Sequence, residues 1–344
     1  MIAAQETSAH AALSENKLVQ MTQGVILHHA LCTAAKLGIA DLLQDEERTT
    51  ADLARVLSVH EDALYRLLRF LSGQGVFTET SARAFSNNPL SATMRADAPH
   101  SVRPVLLFRA TDFYLAAFNH LTYCIETAKP SREKVFGMNG FEYLRHHPDE
   151  AQLFDNSMTA QASMAVPSIA AAYDFGQWGS ITDVGGGNGI LLAAILRAHP
   201  SLTGVLVDLD HVVERARERG FLSADLASRA SFAPCDFFRE IPAGSRAYVM
   251  KSVIHDWDED SAIKILRNCR RAVPSDGALL LVELALGESN TPSAGKAADL
   301  IMLVNTGGKE RTIDEYRDLL AHGGFRLNHT VTAGEHLILE ALPG

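Results

Sequence analysis

The chain has 344 residues, more than a single hydrophobic core comfortably holds, and this length favours two domains. Apolar residues make up 47% and charged residues 21%, the balance of a soluble globular protein. The formal net charge of −10 argues against nucleic acid as a partner, because phosphate binding needs clustered lysine and arginine.

The cysteines and the apolar runs predict a cytoplasmic protein with no membrane partner. The four cysteines are scattered, with neither a C-x-x-C pair nor the spacing of zinc ligands, which indicates a reducing compartment. Residues 1–17 are polar and Ala-rich and contain no apolar core of a signal peptide. No apolar run approaches the length needed to span a bilayer.

The first hundred residues have the pattern of a winged helix, which we assign to residues 1–100. A loose tail (1–16) precedes apolar residues at helical spacing, and Thr49 is placed to cap a helix. The predicted elements are one or two helices over 17–43, a helix from Thr49 to Leu57, a helix over 61–71, and a hairpin of 76–79 with 84–85.

A winged helix raises the hypothesis of DNA binding, with the remainder of the chain as a ligand sensor. The candidate recognition helix carries Arg66 and Arg69 but also Glu61 and Asp62, so it lacks a positive face. Burial of the apolar first helix against a second subunit is the simpler interpretation. We therefore expect a homodimer through this domain, and the regulator stays an alternative.

Residues 101–172 are predicted to be mainly helical and are rich in large apolar side chains. For any single one of these side chains, packing in a helical core is the better interpretation. A segment this aromatic beside a cofactor domain could also wall an aromatic substrate pocket. We assign residues 101–344 to one domain, a helical linker or substrate lid followed by an α/β cofactor domain.

The rest of the chain is organised around the glycine-rich stretch 183–189, Asp-Val-Gly-Gly-Gly-Asn-Gly. An apolar run enters it and an apolar helical segment leaves it, as in the first unit of a doubly wound α/β sheet. A second apolar run, 204–207, ends at Asp208, and a carboxylate there can accept hydrogen bonds from the hydroxyls of a ribose.

The spacing of the glycines argues against a dinucleotide. A G-x-G-x-x-G fingerprint would need glycine where this chain has Ile190 or Leu192, so a nicotinamide oxidoreductase is a disfavoured alternative. The acidic Asp183 before the loop suits a cofactor with a positive centre and an amino-acid end. S-adenosylmethionine is such a cofactor.

Strands and helices alternate to the end of the chain, and chemically capable side chains follow the strands. The predicted strands are 181–184, 204–207, 230–233, 247–250, 278–282, 326–330 and 336–341. Asp208, Lys251 and Glu283 fall at or just past strand ends, with His255 a turn further on. Ligands bind at that edge of an open α/β sheet.

Taken together, these motifs resemble the plant-type small-molecule O-methyltransferases, which include caffeic acid, flavonoid and hydroxyindole O-methyltransferases and bacterial natural-product relatives. The resemblance runs from about residue 20 to the C-terminus. It is carried by DVGGGNG (183–189), VDLDHVVERA (207–216), CDFF (235–238), MKSVIHDWDED (250–260), LLLVE (279–283) and NTGGKERT (305–312). It implies a Rossmann-like class I methyltransferase domain with a mainly helical N-terminal winged-helix dimerisation domain.

The resemblance also implies site residues. The loop lines the methionine end of S-adenosylmethionine, Asp208 holds the ribose, and Asp236 with Phe237 meets the adenine. The predicted cofactor residues are Asp183, Gly185, Gly186, Gly187, Asp208, Leu209, Asp236, Phe237 and Lys251. The predicted catalytic residues are His255, Glu283 and Glu310, and the predicted substrate-binding residues are Phe154, Met158, Asp256, Trp257, Met302 and Asn305.

General chemistry supports the role of the histidine. A phenol has a pKa of about 10 and histidine about 6.5, so a neutral imidazole can take the proton as the oxygen attacks. A positioned base contributes typically ~10²–10⁴-fold, and carboxylates on the far ring nitrogen fix its tautomer. No metal is expected.

The expected activity is S-adenosylmethionine-dependent O-methylation of an aromatic hydroxyl, phenolic or of the N-hydroxy type, on a small secondary metabolite. S-adenosylhomocysteine is the expected second product. N-methylation, or other chemistry of the same cofactor on this fold, is an alternative. Two features depart from the plant pattern: residues 233–235 are Ala-Pro-Cys where the plant enzymes usually carry glycines, and the plant pocket residues find no match across 101–172.

Overall fold

The computed structural model describes residues 16–222 and 224–344, so most of the loose tail lies outside the described residues. The chain forms two compact units. One contains the chain up to Leu115 together with 152–160, and the other contains 116–151 and 161–344. The domain limit that the sequence places between residues 100 and 101 stays a prediction.

The first unit begins with the helix, helix, helix and hairpin order expected from its sequence. Residues 16–22 are helical and are followed by α1 (Gly24–Leu37), α2 (Ile39–Leu43), β1 (Arg48–Thr49), α3 (Thr50–Leu57), α4 (Glu61–Gly73), β2 (Thr78–Ser81), β3 (Ala84–Ser86) and α5 (Pro89–Ala92). Thr49 caps α3, its hydroxyl accepting the Asp52 N–H at 3.2 Å, as predicted. The three strands pair in the order β1-β3-β2.

Burial of one face explains why α4 forms. Leu64, Leu68 and Leu71 recur at helical spacing and are at most 3% exposed. They pack with residues of α1 and with Phe85 of the hairpin in one core. The first described helical residues are different, because five large apolar side chains there are 53–67% exposed: Leu18, Val19, Met21, Val25 and Ile26.

Between the hairpin and the large sheet the chain is helical, as predicted. The helices are α6 (Arg103–Arg109), α7 (Asp112–Phe118), α8 (Leu121–Thr127), α9 (Ser131–Phe136), α10 (Gly140–His146) and α11 (Pro148–Ala172). The sequence places Pro167 in the connection to the first strand of the sheet, but it lies inside α11. None of the helices among the described residues is both long and apolar enough to cross a membrane.

The second unit carries the α/β sheet. Its elements are β4 (Ser180–Val184), α12 (Ile190–Ala198), β5 (Thr203–Asp208), α13 (Asp210–Arg219), β6 (Ala230–Pro234), β7 (Ala247–Lys251), α14 (Glu259–Ala272), β8 (Ala278–Leu284), α15 (Ala294–Asn305), α16 (Ile313–His322), β9 (Phe325–Ala333) and β10 (His336–Pro343). The strand order is β6-β5-β4-β7-β8-β10-β9. The pairs from β6 to β8 are parallel, whereas β10 runs antiparallel to both neighbours.

This order places a switch point between β4 and β7. From β4 the chain builds outward through β5 and β6, and it then returns to β7 and builds the other way. The carboxyl ends of these two strands therefore open a crevice, which is where ligands bind in open α/β sheets.

The sheet is covered on both faces, which explains its continuous apolar strands. In β8, Leu280 and Val282 pack with α12 in one core, whereas Leu279 and Leu281 pack with α14 and α16 in the other. Successive side chains of a strand point to opposite faces, so an uninterrupted apolar run fills both cores.

Several element limits differ from the sequence prediction, including those of β8 and of a helix that the sequence predicts over 297–303. β8 continues through Glu283 to Leu284, because β10 pairs with it over that length, with Leu337 opposite Glu283 and His336 opposite Leu284. Helix α15 begins at Ala294, earlier than the predicted residue 297, because Ser293 caps it by accepting the Lys296 N–H at 3.2 Å.

Candidate active site

The glycine loop lies at the carboxyl end of β4 and needs its glycines. Gly185, Gly187 and Gly189 have φ of 69°, 55° and 80°, in the left-handed region that disfavours side chains. A Cβ on Gly185 would lie 2.9 Å from a methyl of Val253, and one on Gly186 would lie 2.8 Å from the Asp183 carboxyl group. The loop thus presents bare backbone.

Asp208 at the end of β5 is tied to this loop. Its Oδ2 accepts the N–H of Gly187 at 2.9 Å, and its Oδ1 accepts the N–H of Leu209 at 2.7 Å. Burial raises the pKa of Asp208, and these two hydrogen bonds oppose that rise. The Leu209 side chain next to it is 44% exposed.

Asp183 is a buried carboxylate with an unsatisfied oxygen. It is 1% exposed, and its Oδ2 has no hydrogen-bond partner among the residues that the structure describes. Burial and the charge of Asp208 raise the pKa of Asp183 to about 7, whereas Lys251 opposes the rise. Burial lowers the pKa of Lys251, and the charges of Glu283 and Asp183 act against that. An orphaned buried carboxylate beside bare glycine backbone fits a ligand with a cationic amino-acid end.

The segment after β6 provides an aromatic wall. Asp236 turns the chain, its carboxylate accepting the Phe238 N–H at 2.9 Å. Phe237 lies 3.7 Å from the position of a Cβ on Gly185, so its ring flanks the glycine loop. The rings of Phe237 and Phe238 meet Trp257 edge-on, at centroid distances of 6.0 and 4.6 Å.

His255 lies in a short 3₁₀ turn, Ile254–Asp256, after β7. Its Nδ1 lies 2.7 Å from Glu310 Oε1 and 3.8 Å from Glu283 Oε2, and its Nε2 lies 3.8 Å from Asp256 Oδ1. Burial by itself would lower the pKa of His255, but Glu283, Asp256 and Glu310 outweigh it and raise the pKa to about 10. Nδ1 donates to Glu310, which leaves Nε2 for a substrate proton.

Each glutamate is positioned by a hydrogen bond between a backbone N–H and a carboxylate. Glu283 is fully buried in β8, and its Oε1 accepts the Ile254 N–H at 3.0 Å. Burial raises the pKa of Glu283 to about 7, with His255 opposing the rise. Glu310 is 3% exposed, and its own N–H donates to Asp299 Oδ1 at 3.0 Å. The structure thus brings the three predicted catalytic residues together.

The same three side chains have the spacing of a possible cation site. His255, Glu283 and Glu310 offer ligand atoms that all lie within 4.8 Å of one another, the one such group among the residues that the structure describes. A metal on Nδ1 would displace the hydrogen bond to Glu310, so a metal ion and this catalytic pair exclude each other.

The predicted substrate residues divide between the two units. Four of them lie in the second unit: Asp256, Trp257, Met302 and Asn305. Within the described part of the chain, the buried Oδ1 of Asn305 finds no hydrogen-bond partner. Phe154 and Met158 belong to the first unit. The Phe154 ring packs against Phe108 with the centroids 5.4 Å apart, and Met158 is 39% exposed.

Sequence reasoning missed three residues around His255. Arg311 is 1% exposed and Gly308 packs on the backbone at His255, whereas the sequence motif 305–312 assigns no role to either residue. His336 in β10 has its pKa lowered to about 4 by burial and by the charges of Lys251 and His255. The motif spacing gave a signal for the first two, whereas nothing in the sequence singled out His336.

Two family models match the chain. A model described as an O-methyltransferase domain matches residues 118–326, and one described as an O-methyltransferase dimerisation domain matches residues 19–97.

Relatives of known activity match nearly the whole chain. A phenazine O-methyltransferase of Lysobacter antibioticus is 39% identical over 95% of each chain. The mitomycin biosynthesis 6-O-methyltransferase of Streptomyces lavendulae is 35% identical over 95% of this chain and 93% of its own. An 8-amino-8-demethylriboflavin N,N-dimethyltransferase of Streptomyces davaonensis is 33% identical over 93% and 92%.

Solved structures also match nearly the whole chain. The crystal structure of LaPhzM has a TM-score of 0.89 and 38% identity, covering 96% of this chain and 99% of that one. An O-methyltransferase from neocarzinostatin biosynthesis, in complex with S-adenosylmethionine and 2-hydroxy-5-methyl naphthoic acid, has a TM-score of 0.79 and 33% identity over 92% and 96%.

Proposed function

Because the chain belongs to the O-methyltransferase family, as an S-adenosylmethionine-dependent O-methyltransferase of secondary metabolism with the class I methyltransferase fold, we propose that it methylates an aromatic hydroxyl with His255 as base. Family membership also sets aside the nicotinamide oxidoreductase and the winged-helix regulator. The observation that carries the proposal is the 2.7 Å contact between His255 Nδ1 and Glu310, which commits one ring nitrogen and leaves the other for the acceptor.

The proton balance follows from the cluster of charges. Glu283, Asp256 and Glu310 raise the pKa of His255 to about 10, which favours the imidazolium at neutral pH over the neutral imidazole expected from the sequence, so one proton must leave to solvent before methyl transfer. The acceptor oxygen and Nε2 of His255 then share a single proton. The pair is either a hydroxyl beside a neutral imidazole or a phenolate beside an imidazolium. Because a phenol also has a pKa of about 10, these two states are close in energy, so the more nucleophilic phenolate is accessible when methyl transfer occurs.

The remaining chemistry is alignment. When bound, S-adenosylmethionine would supply an activated methyl group on its sulfonium, with S-adenosylhomocysteine as the product. We assign its seat to the loop residues Gly185, Gly186 and Gly187 with Asp183, Asp208, Leu209, Asp236, Phe237 and Lys251. The orphaned Oδ2 of Asp183 supports an amino-acid end there, and the two anchored oxygens of Asp208 keep its carboxylate at the strand end.

We assign the substrate to the side of the imidazole that bears Nε2. Asp256 lies 3.8 Å from that nitrogen, and the unsatisfied Oδ1 of Asn305 is a second acceptor for a polar group of the ligand. Trp257 and Met302 of the second unit would line an apolar slot, whereas the roles of Phe154 and Met158 in the first unit stay predictions. The naphthoic acid bound by the neocarzinostatin relative supports an aromatic acceptor.

We also propose that the protein is a cytoplasmic homodimer. The dimerisation-domain model covers the segment whose first helical residues expose Leu18, Met21 and Val25, and a second copy would bury them. The four cysteines are free thiols, which suits a reducing compartment.

An amine acceptor is the second candidate, since the riboflavin-type relative is an N,N-dimethyltransferase. A neutral aromatic amine already carries a free lone pair, so it has less need of a base than a hydroxyl does. The buried base with two carboxylates on its far side favours oxygen.

The test combines calorimetry with turnover. We expect S-adenosylmethionine and S-adenosylhomocysteine to bind the wild type and to bind Asp208→Ala much more weakly. His255→Ala should keep cofactor affinity and lose ~10²–10⁴-fold in methylation of aromatic hydroxyls. Unchanged turnover of His255→Ala would remove the base assignment. Wild-type cofactor affinity in Asp208→Ala would remove the ribose assignment.

A further inference from the structure

A buried arginine follows Glu310 directly and contacts the turn that carries His255. Arg311 is 1% exposed. Its Nη1 donates to the carbonyl oxygens of Ile254 at 3.3 Å and of Lys309 at 3.2 Å, and its Nη2 donates to the carbonyl oxygen of Trp257 at 3.2 Å. Ile254 and Trp257 bracket His255, so one guanidinium spans the turn.

Stability alone does not explain this arginine. The nearest carboxylate contact is Glu259 Oε2 at 3.8 Å, on a side chain that is 52% exposed. Burying a cation is unfavourable unless its donors are satisfied, and well-packed apolar side chains often stabilise a core as well or better. The acceptors that hold Arg311 are backbone carbonyls of the turn that carries His255 and of its own loop. These contacts fix the position of that turn relative to the loop.

The surrounding contacts leave the turn little freedom. A Cβ on Gly308 would lie 2.0 Å from the carbonyl oxygen of His255, so the loop lies directly on the turn. Glu283 accepts the N–H of Ile254, and Arg311 binds the C=O of the same residue. The peptide groups beside His255 are thus fixed from both the strand and the loop.

We propose that Arg311 is a positioning residue for methyl transfer, which clamps the turn 254–257 to the loop 308–311 so that the bond between His255 and Glu310 is formed before the substrate arrives. This inference rests on the proposed function, because it assumes that His255 is the base. Arginine suits the task, since its two terminal nitrogens reach separate carbonyls in a fixed plane, whereas lysine presents one compact ammonium.

Arg311→Lys is the first variant, with Arg229→Lys as its matched control. Arg229 also holds backbone carbonyls, its Nη1 donating to those of Leu196, His199 and Leu202 at 2.9, 3.2 and 2.9 Å, but outside the proposed active site. We expect Arg311→Lys to lose ~10²-fold in kcat with S-adenosylhomocysteine affinity retained, as a misplaced base implies. Arg229→Lys should lower Tm and leave kcat unchanged.

The pH profile separates positioning from general destabilisation. If Glu310 is no longer held at His255, the pKa of His255 in the free enzyme falls, so the acid limb of kcat/KM in Arg311→Lys should move to lower pH. The limb of Arg229→Lys should stay in place. In Arg311→Ala, free guanidinium at low concentration should restore part of kcat, whereas the same concentration of sodium chloride should not.

The inference is overturned if Arg311→Lys keeps the wild-type kcat and acid limb, or if its loss of kcat merely parallels a loss of cofactor affinity with the limb unmoved. Lack of guanidinium rescue in a folded Arg311→Ala would also count against it. His255→Ala measured in parallel keeps the two proposals apart. Inactive His255→Ala with fully active Arg311→Lys refutes only the clamp, whereas active His255→Ala refutes the base itself.

Discussion

Replacing Gly308 with alanine tests how closely the active-site loop must lie on the base turn. The added Cβ would lie 2.0 Å from the His255 carbonyl oxygen, 2.5 Å from the Asp256 carbonyl carbon and 2.8 Å from the Trp257 nitrogen. All three are backbone atoms, so no side-chain rotation relieves the overlap. The loop and the turn must therefore separate.

The size of that movement follows from the distances. Ordinary contact begins at 3.4 Å, so going from 2.0 Å to 3.4 Å requires a retreat of about 1.4 Å. A retreat of that size at Glu310 stretches its 2.7 Å contact with His255 to about 4 Å, outside hydrogen-bonding range. Misplacing the base by this much should lower kcat by ~10²-fold. The strain should lower the free energy of unfolding by about 1–3 kcal/mol.

The assay is steady-state methyl transfer, with calorimetry of S-adenosylhomocysteine binding alongside. Cofactor affinity should stay near that of the wild type, because the glycine loop and Asp208 belong to other strand ends. Gly73→Ala is the control, since its Cβ would meet nothing within 4 Å and its backbone is helical. A Gly308→Ala enzyme with the kcat of the wild type would refute the argument that this contact sets the base.

Three further outcomes are expected. Because the neighbouring carboxylates raise the pKa of His255 to about 10 in the free enzyme, kcat/KM should rise with pH from neutral toward that value, and Glu310→Gln should move the acid limb to lower pH, as read from pH–rate profiles. The pKa of Asp183 is raised from 3.8 to about 7, so its contribution to stability is present below its ordinary pKa and is lost as pH rises through 7. Asp183→Asn should therefore remove this loss when Tm is measured against pH without cofactor. The same variant should weaken cofactor binding. Leu281→Ala in the buried β8 should lower the free energy of unfolding by about 2–5 kcal/mol in urea titrations, with the same m-value.

The fold could be predicted from the sequence because its signals are local. Apolar runs between glycine or polar turns located every strand of the large sheet, and Thr49 located the start of α3. The parallel order then gathers the carboxyl ends of neighbouring strands at one edge. For that reason Asp208, Lys251 and His255 could be assigned to one site before any distance was known.

The carboxylates of the base were harder to predict. Glu310 lies 55 residues after His255 in the chain, and only its resemblance to a family motif pointed to it. The position of Glu310 depends on a loop that packs against the turn after β7, and no periodic sequence pattern predicts that contact. Arg311 was missed for a related reason, since an arginine in a polar loop is usually solvated.

The limits of β8 show the same contrast between local sequence signals and contacts with distant segments. The apolar run ends at Val282, so the sequence alone stops the strand there. Pairing with β10 carries it two residues further and encloses Glu283. A strand end set by a distant partner has no local signal.

The position of β10 in the sheet also governs the order of assembly. β10 comes after β8 and β9 in the chain but lies between them in the sheet. Until the hairpin of β9 and β10 has formed and docked, β8 is an edge strand with unpaired backbone groups. Such non-local pairing is slow, so we expect the strand pairing around Glu283 to be completed late in folding. The glycine loop, whose strands β4 and β5 are consecutive in the chain, can form earlier. From sequence separation alone, we therefore expect the glycine loop to form before the surroundings of the base are complete.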